Sequence, residues 1–138
     1  MTELMMSRRV QLGSTILAVG ALGLFAASAA ILLTDQPDPS TRVGRHLWAG
    51  ALAIACLAVQ ELVLALIPLR RGDRWALWAA AVPFILVGAP VLYLDATYVQ
   101  RSTWLWTLMP QLISQLIGLF GLFLCAGGVD EKKHASGA

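Results

Sequence analysis

The chain is 138 residues long, 58% hydrophobic and only 13% charged, with a formal net charge of +2. Soluble domains carry about 25% charged residues, so a water-exposed globular fold is excluded, and the charge is too small to mark a nucleic-acid binder. The two cysteines, Cys56 and Cys125, form no Cys-x-x-Cys pair and fall at opposite depths of their segments, which argues against a thiol–disulfide membrane enzyme and for two small packing residues.

In chain order, four apolar stretches fill the sequence: 10–33, 47–69, 75–93 and 104–129. A helix needs about 20 apolar residues to cross a hydrocarbon core of about 30 Å. The pattern therefore predicts an all-α membrane protein, an antiparallel four-helix transmembrane bundle that forms a single domain. A closed barrel would need weaker, alternating segments. The connections, 34–46, 70–74 and 94–103, are too short for a soluble domain, and 130–138 reads as a polar, disordered tail.

The first stretch follows Ser7-Arg8-Arg9 and contains Ala27-Ser28-Ala29, which together look like a signal peptide with a cleavage site. The apolar run continues through Ile31-Leu32-Leu33, longer than a signal core, so retention as a span is expected. Gly20, Gly23, Ala27 and Ala30 recur at three- and four-residue intervals, placing small residues on one face where another helix can approach closely. The acidic Asp35-Gln36-Pro37-Asp38-Pro39 connection reads as a rigid, solvated turn.

In the second stretch a similar stripe of Ala49, Ala53, Cys56 and Gln60 reads as the packing face. Glu61 follows, about 14 residues in, or about 21 Å at a rise of 1.5 Å per residue. A carboxylate at that depth is costly and must be protonated, paired or turned to a wet cavity. The tight turn at 70–74 forces an antiparallel pair. In the third stretch Pro83 and Pro90 flank Gly88-Ala89 and predict a bent helix. Asp95, beside Tyr93 and Tyr98, is expected at the membrane interface, paired with Arg45 or Arg101. In the fourth, Gln111, Ser114, Gln115, Gly118, Gly121 and Cys125 make one polar-to-small face. Gln115 lies about 17 Å deep by the same helix rise, where it can meet Glu61.

Orientation follows from charge. Arg8, Arg9, Arg70, Arg71, Arg74, Lys132 and Lys133 lie at one set of ends, against Arg42, Arg45 and Arg101 at the other. The positive-inside rule puts both termini in the cytoplasm. Trp48, Trp104, Trp106, Tyr93 and Tyr98 at the outer ends, with Trp75 and Trp78 at the inner, agree with interfacial belts.

These residues support a non-enzymatic accessory or interaction protein of the bacterial cytoplasmic membrane as the leading reading. Its partners would be the lipid bilayer and a membrane-protein partner or a second copy, with no cofactor, no metal and no catalytic residue. The alternative is a small transporter or lipophilic-ligand-binding bundle in which Glu61, Gln60, Gln111, Gln115 and Asp95 form the ligand-binding or proton-linked set. A second alternative is a membrane enzyme acting on a lipid-soluble substrate with Glu61 or Asp95 as acid or base.

Two families bear on this. Length and span count resemble the small multidrug resistance transporters, but their essential acid lies in the first span, and here that span has none. The turn Leu69-Arg70-Arg71-Gly72-Asp73-Arg74-Trp75-Ala76 is similar to basic Gly-acid-Arg-Trp turns in DoxX-like and other bacterial four-span proteins. That resemblance implies a four-span plan and carries no activity.

Overall fold

The computed structural model describes residues 2–99 and 105–136, with side chains described over 8–99 and 105–128. Helix α1 (Thr2–Thr34) and helix α2 (Arg42–Leu66) are joined by the 35–41 loop. A short 3₁₀ turn (Leu69–Arg71) leads to α3 (Arg74–Pro83), a π turn (Phe84–Gly88) and α4 (Ala89–Tyr98), and α5 (Leu108–Ser136) closes the chain. No strand occurs among the described residues. Four helical segments are long and apolar enough to cross a membrane: Arg8–Thr34, Arg42–Arg71, Arg74–Tyr98 and Leu108–Gly128.

The ends are set by local chemistry. Thr41 is extended (φ −85°, ψ 155°) and its hydroxyl accepts from the Gly44 amide at 3.0 Å, satisfying one of the first orphan donors of α2. Gly72 adopts the left-handed conformation (φ 79°) that ends the 3₁₀ turn, where a side chain would be strained, and its amide donates to Leu69 O at 3.0 Å. Pro83 and Pro90 each lack an amide hydrogen. Between them the helix widens into the π turn and then resumes, with Pro90 in the first turn of α4. Where the sequence predicts a bend, the helix type changes.

Packing is uneven. The most extensive contact joins α1 to α5, followed by α1 to α2, while α3 and α4 touch α2 and α5 more sparsely. Glycines make the first seam. A Cβ built on Gly20 would lie 2.7 Å from the Gly118 amide nitrogen and 2.9 Å from Ser114 O. One built on Gly13 would lie 2.8 Å from the Cys125 nitrogen, and one on Gly121 2.5 Å from the Leu17 nitrogen. Contacts that climb α1 therefore descend α5. The expected small face of the first helix is an internal face: Gly20 and Ala27 are buried, and Gly23 and Ala30 half-buried.

The second helix corrects the sequence reading. Ala49, Cys56 and Gln60 are exposed and Ala53 is half-buried. The buried face instead runs Leu47, Gly50, Ile54, Leu57, Ala58, Glu61, Leu64 and Ala65. Cys56 therefore packs against nothing inside the bundle, whereas Cys125 is buried and its thiol donates to Val10 O at 3.7 Å. Helix α5 continues to Ser136.

The molecule is turned inside out relative to a soluble protein. Leu33, Trp78, Leu86, Phe123 and Trp106 are among the large exposed hydrophobics, while Glu61, Asp95, Gln111, Ser114 and Gln115 are buried. Exposed apolar surface on that scale is stable in hydrocarbon and an aggregation hazard in water.

Candidate functional site

The interior polar groups fall into two stations. The first is Glu61 on α2. Its neighbours on the same helical face, Leu57, Ala58, Leu64 and Ala65, belong to the hydrophobic core. The residue is fully buried, and neither carboxyl oxygen has a hydrogen-bond partner. An unsatisfied buried polar group costs about 1–3 kcal/mol or more, so such a group in a native bundle calls for an explanation.

The predicted Glu61–Gln115 bond is not formed. Gln115 is buried on α5 as its spacing implies, but its Nε2 donates to Gly88 O at 3.1 Å, at the seam between the π turn and α4. Gln60 stands apart from the group. It is exposed, and its Nε2 donates to Ala79 O at 2.9 Å, tying α2 to α3 from the outer surface of the bundle. The register of α2 explains this: with Glu61 pointing inward, the preceding residue is turned by about 100° around the helix.

The second station lies at the other end of α2, where α1 ends. Asp95, expected at the membrane interface with an arginine partner, lies inside the bundle. Because α4 runs on to Tyr98, Asp95 sits within helix and is only 1% exposed. Arg45 does not pair with it; its Nη1 donates to Ser40 O at 2.8 Å. Arg101 lies outside the described residues, as does Trp104. Gly50 lets α2 approach here, since a Cβ on it would stand 3.3 Å from Asp95 Oδ1 and from Val91 Cγ1. The groups that bear electrostatically on Asp95 are the Gln111 amide and the Asp35 carboxylate. Gln111 is fully buried, and neither end of its amide meets hydrogen-bond geometry with a partner. Asp95 Oδ2 and both oxygens of Asp35 are likewise buried and unpartnered.

Asp35 is the member that sequence reasoning misses. The pattern reads it as part of a solvated turn, yet its carboxyl oxygens are buried. No periodicity reaches into the 35–41 loop, so the pattern arguments that find helical faces have nothing to act on there. The loop itself is strapped down. Trp48 Nε1 donates to Pro37 O at 2.9 Å, the Ser40 amide donates to Asp38 Oδ1 at 2.8 Å, and Gln36 takes a left-handed conformation (φ 40°). Above Asp35 a half-open cavity of about 170 Å³ is lined by Asp35, Asp38, Val43, Leu47 and Tyr98 among others. Tyr98 stacks on His46 with ring centroids 5.7 Å apart.

The structure thus sets Asp95 beside Gln111, places Asp35 in the loop cavity that Tyr98 also lines, keeps Gln115 in the core on a backbone carbonyl, and excludes Gln60. Chemically, the stations offer carboxyl and amide groups in an apolar setting, suited to proton exchange or to holding a polar or cationic group. Among the described residues no group of three His, Cys, Asp or Glu side chains is placed to hold a metal ion. Comparison with protein-family models, curated proteins and solved structures gave no match to this chain.

Proposed function

We propose that this chain is a small integral membrane protein of the bacterial cytoplasmic membrane, an antiparallel four-helix bundle with both termini in the cytoplasm, in which Glu61 is a proton-linked or ligand-binding carboxyl. The observation that carries this reading is that both Glu61 oxygens are buried and unpartnered. A carboxyl serving as interhelical glue would spend its oxygens on a neighbouring helix, and in Glu61 neither is so used. Ionisable residues within membrane segments are rare and mark pathways and binding sites.

The accessory role is the second reading, favoured by a cleft of about 480 Å³ between α3 and α5 that opens to the surface and is lined by Leu77, Trp78, Ala81, Leu122 and Phe123 among others.

Native mass spectrometry of the intact chain in mild detergent, wild type beside Glu61→Gln, tests the two. A small molecule retained by wild type and lost in Glu61→Gln at unchanged oligomeric mass supports the binding carboxyl. A heterologous subunit at fixed stoichiometry in both proteins, with no small molecule in either, makes Glu61 structural and the chain an accessory subunit.

A further inference from the structure

We propose that the cleft between α3 and α5 seats one anionic phospholipid, with its phosphate on Arg74 and an acyl chain between the two helices. This inference rests on the membrane-spanning reading of the helices and on neither role given to Glu61. It puts a lipid where the accessory reading would seat a partner subunit.

The shape of the cleft is the first argument. Phe84 is buried, and a Cβ built on Gly118 would lie 2.9 Å from its Cε2 and Cζ atoms, so the third span and α5 meet there. Toward the Arg74 end they part, and the cleft of about 480 Å³ opens between Leu77, Trp78 and Ala81 on one wall and Leu122 and Phe123 on the other. Cavities of about 300–1,000 Å³ hold organic molecules. Trp78 is 73% and Phe123 74% exposed, so the opening faces outward from the bundle.

The second argument is the surrounding medium. Arg74 and Ala81 lie seven residues apart on α3, about 10 Å at 1.5 Å per residue. The cleft therefore runs from the start of the span, where headgroups lie, into the hydrocarbon. The third span is also the one least covered by protein: 22% of its most apolar window is buried, against 44% in each of the other three. An empty space beside it would forfeit dispersion contacts, and an acyl chain fills apolar walls without a polar demand.

The third argument selects the headgroup. Arg74 lines the cleft at the start of the span. It is exposed, as are Arg70 and Arg71 in the turn before it, and Asp73 is the one acid between 69 and 76. A guanidinium carries five donors and takes a phosphate through two parallel N–H bonds. Basic pockets between membrane helices accept anionic headgroups for this reason. Trp75, exposed beside Arg74, suits the same headgroup layer.

The full-length chain, delipidated in mild detergent, is titrated with phosphatidylglycerol and with phosphatidylcholine of identical acyl chains, and bound lipid is counted by native mass spectrometry. The expected result is a single phosphatidylglycerol per chain, held more tightly than phosphatidylcholine by about fivefold, the step that one arginine near an anionic surface supplies. Arg74→Gln removes that preference. Ala81→Phe, which fills the cleft, weakens both lipids several-fold. Should Ala81→Phe fail to fold, Ala126→Leu, which fills the same cleft from α5, gives the same weakening. Glu61→Gln leaves lipid affinity unchanged, so failure of the Glu61 reading and failure of this one are told apart. Equal affinity for the two lipids overturns the proposal, and so does a preference that survives Arg74→Gln. Lipid binding that survives both filling variants places the lipid outside the cleft and overturns it too. A bound protein subunit, a second copy or another chain, that Ala81→Phe releases would make the cleft a protein interface and likewise overturn it.

Discussion

Asp38 and Glu61 show how differently a carboxylate is treated at the rim of the bundle and within it. Asp38 is fully exposed, and the Ser40 backbone amide, followed by the Ser40 hydroxyl, holds its carboxyl below the usual carboxylate range. Both donate to the ionised form and so favour it. Since the folded value lies below the unfolded one, the stabilisation of the turn is fully present above the unfolded value and is lost as pH falls through the folded value. An NMR titration of the Asp38 carboxyl carbon is expected to give a midpoint below that of an unstructured peptide, and Asp38→Ala is expected to abolish the protection of the Ser40 amide. A midpoint equal to the peptide's would mean that the turn does not persist in solution. The turn itself is legible in the sequence, since Pro-Asp-Pro-Ser-Thr is turn and cap chemistry. The burial of the Asp35 carboxyl oxygens, three residues earlier, is not, because no helical periodicity reaches into the loop.

Helical elements are legible to the extent that one property varies around the helix. On α5 the polar and small residues Gln111, Ser114, Gln115, Gly118, Gly121 and Cys125 contrast with a surface of Ile113, Leu116, Phe120 and Phe123, and that contrast marks the inward face. On α2 both faces are apolar, and small size misleads: Ala49 and Cys56 line the outside and Ala53 is only half-buried. Lipid is as apolar as leucine, so hydrophobicity does not choose a face. Helical steps of four and three residues back from Glu61 reach Leu57, Ile54 and Gly50, the true interior, so the acid is the usable signal. The glycine seam of α1 and α5 gives a graded test. Gly20→Ala drives a Cβ to within 2.7 Å of the Gly118 backbone, which only separation of the helices relieves, and costs about 1–3 kcal/mol as overpacking does. Gly127, where an added Cβ would meet nothing within 4 Å, accepts Ala with no loss. Unfolding in mixed micelles with increasing SDS measures both; equal behaviour of the two variants would refute the seam.

For the whole molecule, hydropathy establishes four membrane-length helices, and the exposed apolar surface agrees with them. Orientation rests on charge alone. Exposed Trp48, Tyr93 and Trp106 ring one end and exposed Trp75 and Trp78 the other, as two interfaces require, but aromatic belts are symmetric and do not say which end faces the cytoplasm. The seven-to-three division of Lys and Arg between the ends is what supports the proposed cytoplasmic placement of both termini. In a Cys56→Ser, Cys125→Ala background, Ser40→Cys is expected to react with a membrane-impermeant maleimide in intact spheroplasts, and Asp73→Cys only after permeabilisation. The reverse pattern would place both termini outside. Changing Arg70, Arg71 and Arg74 together to Gln leaves four basic residues against three, a bias too small to orient every copy. Both reporters should then label in part from outside, while a glycine-rich seam between α1 and α5, which involves no charge, still holds each copy folded.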